Sequence, residues 1–174
     1  MTIVGSKPTL TVDTVAKSGL NIGAENKIGE VTIAADAAGT IGIKTITFNV
    51  GNSGFSTGFL ATAPRLADGS TTISTASCVA TGTSLVTAPT TVETCTFSSD
   101  YLIPGGTSKT FSLFATISGT QTSGTTASVS TALNGTGAAL TGFTWTDTAG
   151  AGVTDNETGV KMYGFPTGSY SVHQ

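Results

Sequence analysis

Charge is scarce in this sequence of 174 residues. Lys and Arg together number seven and Asp and Glu ten, so charged residues make up only 10%. An ordinary soluble domain carries about 25% charged residues, and the abundant Thr, Ser, Gly and Ala therefore indicate a neutral, hydroxyl-rich surface. The net charge is −3, and the basic residues are scattered from Lys7 to Lys161. This distribution excludes the basic stripe that binds nucleic acid.

Histidine and cysteine are rare as well, with one and two residues. Two cysteines and the distant His173 cannot complete a tetrahedral metal shell. We therefore expect a disulfide between Cys78 and Cys95, the alternative being two buried free thiols. A disulfide favours an oxidising compartment, so we predict an extracellular or cell-surface protein.

Long apolar runs are missing too. No stretch approaches 18 apolar residues, and the first residues, MTIVGSKPTL, lack the apolar segment of a signal peptide. We therefore predict no transmembrane segment. We interpret the chain as the mature portion of an exported protein.

The pattern that the sequence does have is a two-residue alternation of apolar and small polar side chains, which is typical of half-buried β-strands. It is strongest over 108–118 and returns over 127–133 after a Gly/Thr-rich turn. We predict two neighbouring antiparallel strands of one sheet that bury Phe111, Leu113, Ala115, Ile117, Val129 and Leu133.

Similar runs predict further strands at 7–15, 27–35, 41–50, 58–66, 71–79, 91–97 and 142–147. Within 41–50 the apolar residues change parity near Lys44, which predicts either a β-bulge or a switch of face there. A helical pattern is not found, so we predict an all-β fold with negligible helix. The length and spacing favour one Greek-key β-sandwich over residues 1–174.

Several motifs also occur in a familiar order: KIGEVTIAAD, IGIKTITFNV, CTF, IPGGTSKTFSLFATI, GFTWTD and GFPTGSYSV. In this order, over roughly residues 5–170, the chain resembles immunoglobulin-like domains of bacterial cell-surface proteins, most of all those of the candidate phyla radiation (Patescibacteria). The resemblance implies an immunoglobulin-like sandwich with a secreted structural or adhesive role and no catalysis. It assigns no functional residue.

Two groups of residues are candidate binding sites. Phe143 and Trp145 flank Thr144, so their rings lie on one side of an extended segment and form either a sugar-stacking platform or a plug of the core. A second group gathers oxygen ligands of the kind that Ca²⁺ prefers and is otherwise a solvated acidic loop. Its members are Asp147, Asp155, Asn156 and Glu157.

Three functions follow. The first is a structural subunit of the cell surface (a filament, surface layer or stalk), the second a carbohydrate-binding or adhesive module centred on Trp145. The third is a secreted hydrolase, for which Ser53 and His173 are the only nucleophile and base that the sequence suggests. Residues 1–6 and 168–174 are candidate edge or donor strands, either within one chain or towards another copy or another surface protein.

Overall fold

The computed structural model describes residues 6–81, 90–134, 142–147 and 168–174, together with the backbone of 154–155. Strands form all of the regular secondary structure of these residues, and no helix occurs among them, which confirms the predicted all-β class. The strands are β1 (Pro8–Val12), β2 (Lys17–Ser18), β3 (Glu25–Ala35), β4 (Ile41–Ser53), β5 (Phe55–Asp68), β6 (Thr71–Thr72), β7 (Ala76–Thr81), β8 (Thr90–Ile103), β9 (Ser108–Gln121), β10 (Ser128–Leu133), β11 (Phe143–Asp147), β12 (Thr154–Asp155) and β13 (Ser169–His173).

The strands form two packed sheets. Sheet A has the order β1-β3-β9-β5-β6. In sheet B, β4 is central: β8 and then β7 lie on one edge, and β10 and β11 share the other. Beyond β10 lie β13 and β2, and the β13–β2 pair is the parallel one. This order, with β1-β3-β9-β5 facing β4-β10-β13, is consistent with an immunoglobulin-like Greek key.

The core lies between the sheets and contains the predicted set. Phe111, Leu113, Ala115 and Ile117 of β9 are buried, and so are Val129 and Leu133 of β10. Their alternation therefore identifies the inner face correctly, because a shift of one residue would expose the whole set.

The predicted pairing of β9 with β10 is wrong, because the two strands lie in different sheets. Both edges of β9 are already occupied, by β3 and by β5, so β10 has no edge of β9 to join. Alternation cannot distinguish these arrangements, since both bury the same residues. The single strand predicted over 71–79 is also wrong: β6 and β7 are separate, and a turn closed by the Ala76 N–H on the Ile73 carbonyl lies between them.

Of the two alternatives predicted near Lys44, the structure shows the β-bulge. The register of β4 against β8 shifts between Ile43 and Thr45, and the register of β11 against β4 shifts between Thr144 and Trp145. Lys44 lies at this shift with an exposed side chain. The bulge returns Ile41 and Ile43 to the buried face on which Ile46 lies.

The two chain ends differ. Residues 169–173 form β13, which pairs with β10 and β2 of the same chain. Residues 1–5 lie outside the described residues. Ser6 is buried, and its N–H donates a 3.4 Å hydrogen bond to Asp147 Oδ2.

Candidate functional site

The two predicted stacking aromatics are core residues. Phe143 is 1% and Trp145 2% exposed, since β11 continues the line of β10 along β4 and turns its apolar side inward. Thr47 fixes this position, because its carbonyl accepts the Asn134 N–H at 2.9 Å while its own N–H donates to the Gly142 carbonyl at 2.6 Å. A buried ring presents no face to a sugar, so the structure agrees with the core plug rather than with the stacking platform.

The acidic group is described only in part. Asp147 is buried where it accepts the Ser6 N–H, and Asp155 lies opposite Trp145 in the β11–β12 pair. Asn156 and Glu157 lie outside the described residues. Within the part of the chain that the structure describes, no three His, Cys, Asp or Glu residues come close enough together to hold a metal ion. The calcium site stays a prediction.

The suggested nucleophile and base are not in contact. Ser53 of β4 lies opposite Ser128 of β10, which in turn lies opposite His173 of β13. Two strand spacings, roughly 9–10 Å, therefore separate Ser53 from His173, too far for the hydrogen bond that would activate a serine.

The predicted disulfide is present. Cys78 of β7 and Cys95 of β8 lie directly opposite each other, with a Cα–Cα distance of 4.0 Å and an S–S bond of 2.01 Å. Cys95 is buried on the inner face of sheet B, whereas Cys78 is half-buried. The bond ties β7 to the main body of the sheet.

Beside the disulfide, the structure reveals a residue that the sequence did not suggest as a site. Glu93 lies two residues from Cys95 on the same inner face, between Phe48 of β4 and Ala80 of β7 in the ladder. Its side chain is 0% exposed, and neither carboxylate oxygen has a hydrogen-bond partner among the described residues. A buried ionised carboxylate without a partner is costly, so the neutral form is favoured.

The pKa of Glu93 reflects this environment, because burial alone raises it from the ordinary 4.5 to about 7. The folded state therefore binds a proton more tightly than the unfolded chain. The corresponding stability is complete below pH 4.5 and is lost as the pH rises through 7.

We expect the free energy of unfolding of the native protein to fall by about 2–3 kcal/mol more than that of Glu93→Gln between pH 5 and pH 8. The substitution removes the ionisation and keeps the shape, and the other titratable groups cancel in the comparison. Urea unfolding at both pH values measures the effect. If the free energy of unfolding changes with pH equally in the two proteins, Glu93 is not a buried carboxyl group that loses stability on ionisation.

The surface next to Glu93 is the free side of β7, which we call the β7 edge (Ala76–Thr81). In the described part of the chain β7 pairs only with β8. None of its residues 76–80 is buried, and Val79 is 57% exposed. Its sequence, ASCVAT, contains neither a charge nor a proline.

The outer face of sheet B is lined with hydroxyl groups. Three T-x-T motifs lie on adjacent strands, at 45–47, 94–96 and 144–146. Thr45 lies opposite both Thr96 and Thr144, and the Thr47 hydroxyl donates to that of Thr94 at 3.3 Å. The shared motif was a signal in the sequence for this neutral, hydroxyl-rich face.

Charged groups on sheet A are paired locally. Arg65 forms two 2.6 Å bonds to the Glu25 carboxylate and stacks on Phe114, 4.2 Å from the ring centroid. Asp68 accepts hydrogen bonds from Lys109 at 2.7 Å and from Tyr101 at 2.9 Å, which joins the two sheets at one end. These bonds lower the pKa of both carboxyl groups, so they stay ionised partners.

Comparison with known proteins adds no assignment: no protein-family model and no curated protein matches the chain. In the described residues, no helix is long and apolar enough to cross a membrane.

Proposed function

We propose that the protein is a non-catalytic structural subunit of the extracellular cell surface, in a filament, surface layer or stalk. In this proposal copies of the chain associate by strand addition at the β7 edge. The resemblance to immunoglobulin-like surface domains carries the same expectation.

The β7 edge, which has β8 as its one ladder partner among the described residues, is the observation that carries the proposal. A free edge presents unpaired N–H and C=O groups, and monomeric proteins usually block such edges with charges, proline or bulges. At the far edge of sheet A, β1 has these devices, because it begins at Pro8 and lies between Lys7 and Asp13. The β7 edge has none of them and adds an exposed valine, so it is suited to pairing with a strand of a second copy.

Two further features support the proposed extracellular location. The Cys78–Cys95 bond forms and persists in oxidising surroundings. The hydroxyl-lined outer face of sheet B is low in charge, so neighbouring copies can approach it without strong repulsion. Both features fit an extracellular subunit that packs closely with others.

Two matched lysine substitutions test the proposal. Val79→Lys places a charge on the β7 edge. Val15→Lys is the control, because it places the same charge at a valine that is 64% exposed and lies outside the strands. We expect Val79→Lys to weaken self-association about tenfold or more, because a lysine in an edge strand opposes pairing with another strand. Sedimentation velocity over a wide concentration range measures it. A native chain that stays monomeric throughout, or an equal effect of both substitutions, contradicts the proposal.

A further inference from the structure

Strand β7 lies at the margin of the core, against which its Ala76 and Cys78 are only partly buried. The inner face of β8 buries Thr91, Glu93, Cys95 and Phe97, whereas residues 76–80 of β7 contribute no buried side chain. The attachment of β7 therefore depends on the ladder with β8, on packing against β5 and on the disulfide. Short strands of this kind belong to the segments that open locally before the whole protein unfolds.

Glu93 lies in the part of β8 that pairs with β7. Its cross-strand neighbour on the core side is Phe48, and its neighbour on the edge side is Ala80. Because β7 is the last strand on this side in the described residues, its removal brings water to the flank of a carboxyl group that has no partner there.

We propose that β7 is a detachable edge strand that the Cys78–Cys95 disulfide holds closed over Glu93. Exchange with an external dithiol, which is oxidised to its own disulfide, converts Cys78 and Cys95 to two thiols, and loss of the Glu93 proton to water then releases β7 from β8. The disulfide lies one ladder step of two residues from the Ala80–Glu93 pair, so it limits strand separation where the carboxyl group would otherwise become hydrated.

No charged side chain of the described residues forms a hydrogen bond or an ion pair with the Glu93 carboxyl group. On the packed elements, Arg65 and Asp68 of β5 are paired with Glu25 and Lys109, and Asp100 of β8 accepts the Thr146 hydroxyl at 2.5 Å. Lys44 of β4 is exposed at the bulge, and β7 carries no titratable group besides the disulfide-bonded Cys78. Burial is the one cause that raises the pKa of Glu93.

The size of the effect follows from linkage. Hydration in the open strand returns the pKa of Glu93 from about 7 to the ordinary 4.5, so the open state gains on the closed state as the pH rises. Between pH 5 and pH 8 the gain is about 70-fold. Because β7 carries the proposed contact between copies, its release would also control assembly, and this consequence alone rests on the proposed function.

Hydrogen exchange followed by mass spectrometry on peptides of β7, β3 and β9 tests the proposal in dilute protein, where self-association plays no part. The opened background is Cys78→Ser/Cys95→Ala, with and without Glu93→Gln. Asp36→Asn is the control at an exposed carboxyl group, because the amide oxygen can still accept the Ala38 N–H. After correction for intrinsic exchange rates, we expect protection of β7 to fall about 70-fold between pH 5 and pH 8 when Glu93 is present. With Glu93→Gln it should stay constant, while β3 and β9 keep their protection.

Three results overturn the proposal: β7 protection that does not depend on pH, an equal fall with Glu93→Gln, or loss of protection in all three strands together. The last result includes a double variant that does not fold at pH 5, because β7 is then no separable unit. Self-association of the oxidised native protein is measured separately, so failure of the strand release and failure of the proposed function are distinguishable.

Discussion

Replacement of Trp145 by alanine is expected to lower the free energy of unfolding by about 3–5 kcal/mol. The indole is 2% exposed and belongs to the continuous core, opposite Ile43 where the bulge in β4 shifts the register. Truncation removes the packing of the indole and leaves a cavity. The surrounding strands cannot close this cavity, because hydrogen bonds between neighbouring strands hold the backbone of both sheets in place.

Trp145→Phe is the control, because it keeps an aromatic ring and should lose much less stability than the alanine variant. Urea denaturation gives the free energies, and the emission of this single tryptophan reports its environment directly. We expect blue-shifted emission in the native state that resists quenching by iodide. Red-shifted, readily quenched emission together with an undiminished stability of Trp145→Ala would contradict the core assignment and restore the sugar-stacking interpretation.

The sequence predicts the local features of this fold well because they depend on neighbouring residues. Alternation over 108–118 identifies the buried side of β9, and the change of parity at Lys44 locates the bulge. Both are properties of one strand. Which strands become neighbours depends on which edges remain free, and this is why β10 joins β4 rather than β9.

At the candidate site, too, the features of a single strand were predictable and the neighbours of that strand were not. The residues around Glu93 read TVETCTF, and their parity places Glu93 on the inner side with Cys95 and Phe97. The sequence could therefore have predicted a buried carboxyl group. It could not show that neither oxygen has a partner among the described residues, because this depends on Phe48 and Ala80, which adjoin Glu93 only after β4 and β7 have paired with β8.

The sequence left the role of Phe143 and Trp145 open for a related reason. Their shared side of a strand was predictable, but whether that side faces water or the core depends on the sheet to which the strand belongs. The hydroxyl groups of Thr144 and Thr146 on the opposite side were the better indication, since they extend the T-x-T pattern of the outer face.

Removal of the disulfide is expected to lower the free energy of unfolding by about 3 kcal/mol, the chain-entropy value for a closed loop of this size. Its two cysteines are 17 residues apart in sequence. The double variant Cys78→Ser/Cys95→Ala suits both environments, because Cys78 is half-buried whereas a hydroxyl group at the fully buried position of Cys95 would lack a partner.

Urea unfolding of the variant should agree with that of the reduced native protein, which separates the covalent bond from the effect of new side chains. Mass spectrometry after alkylation without reductant checks the starting state, since the bonded cysteines do not react. The loss should appear mainly as a lower midpoint, because the cross-link restricts the unfolded chain. An unchanged midpoint would contradict the predicted stabilisation, and two alkylatable thiols in the folded native protein would contradict the disulfide itself.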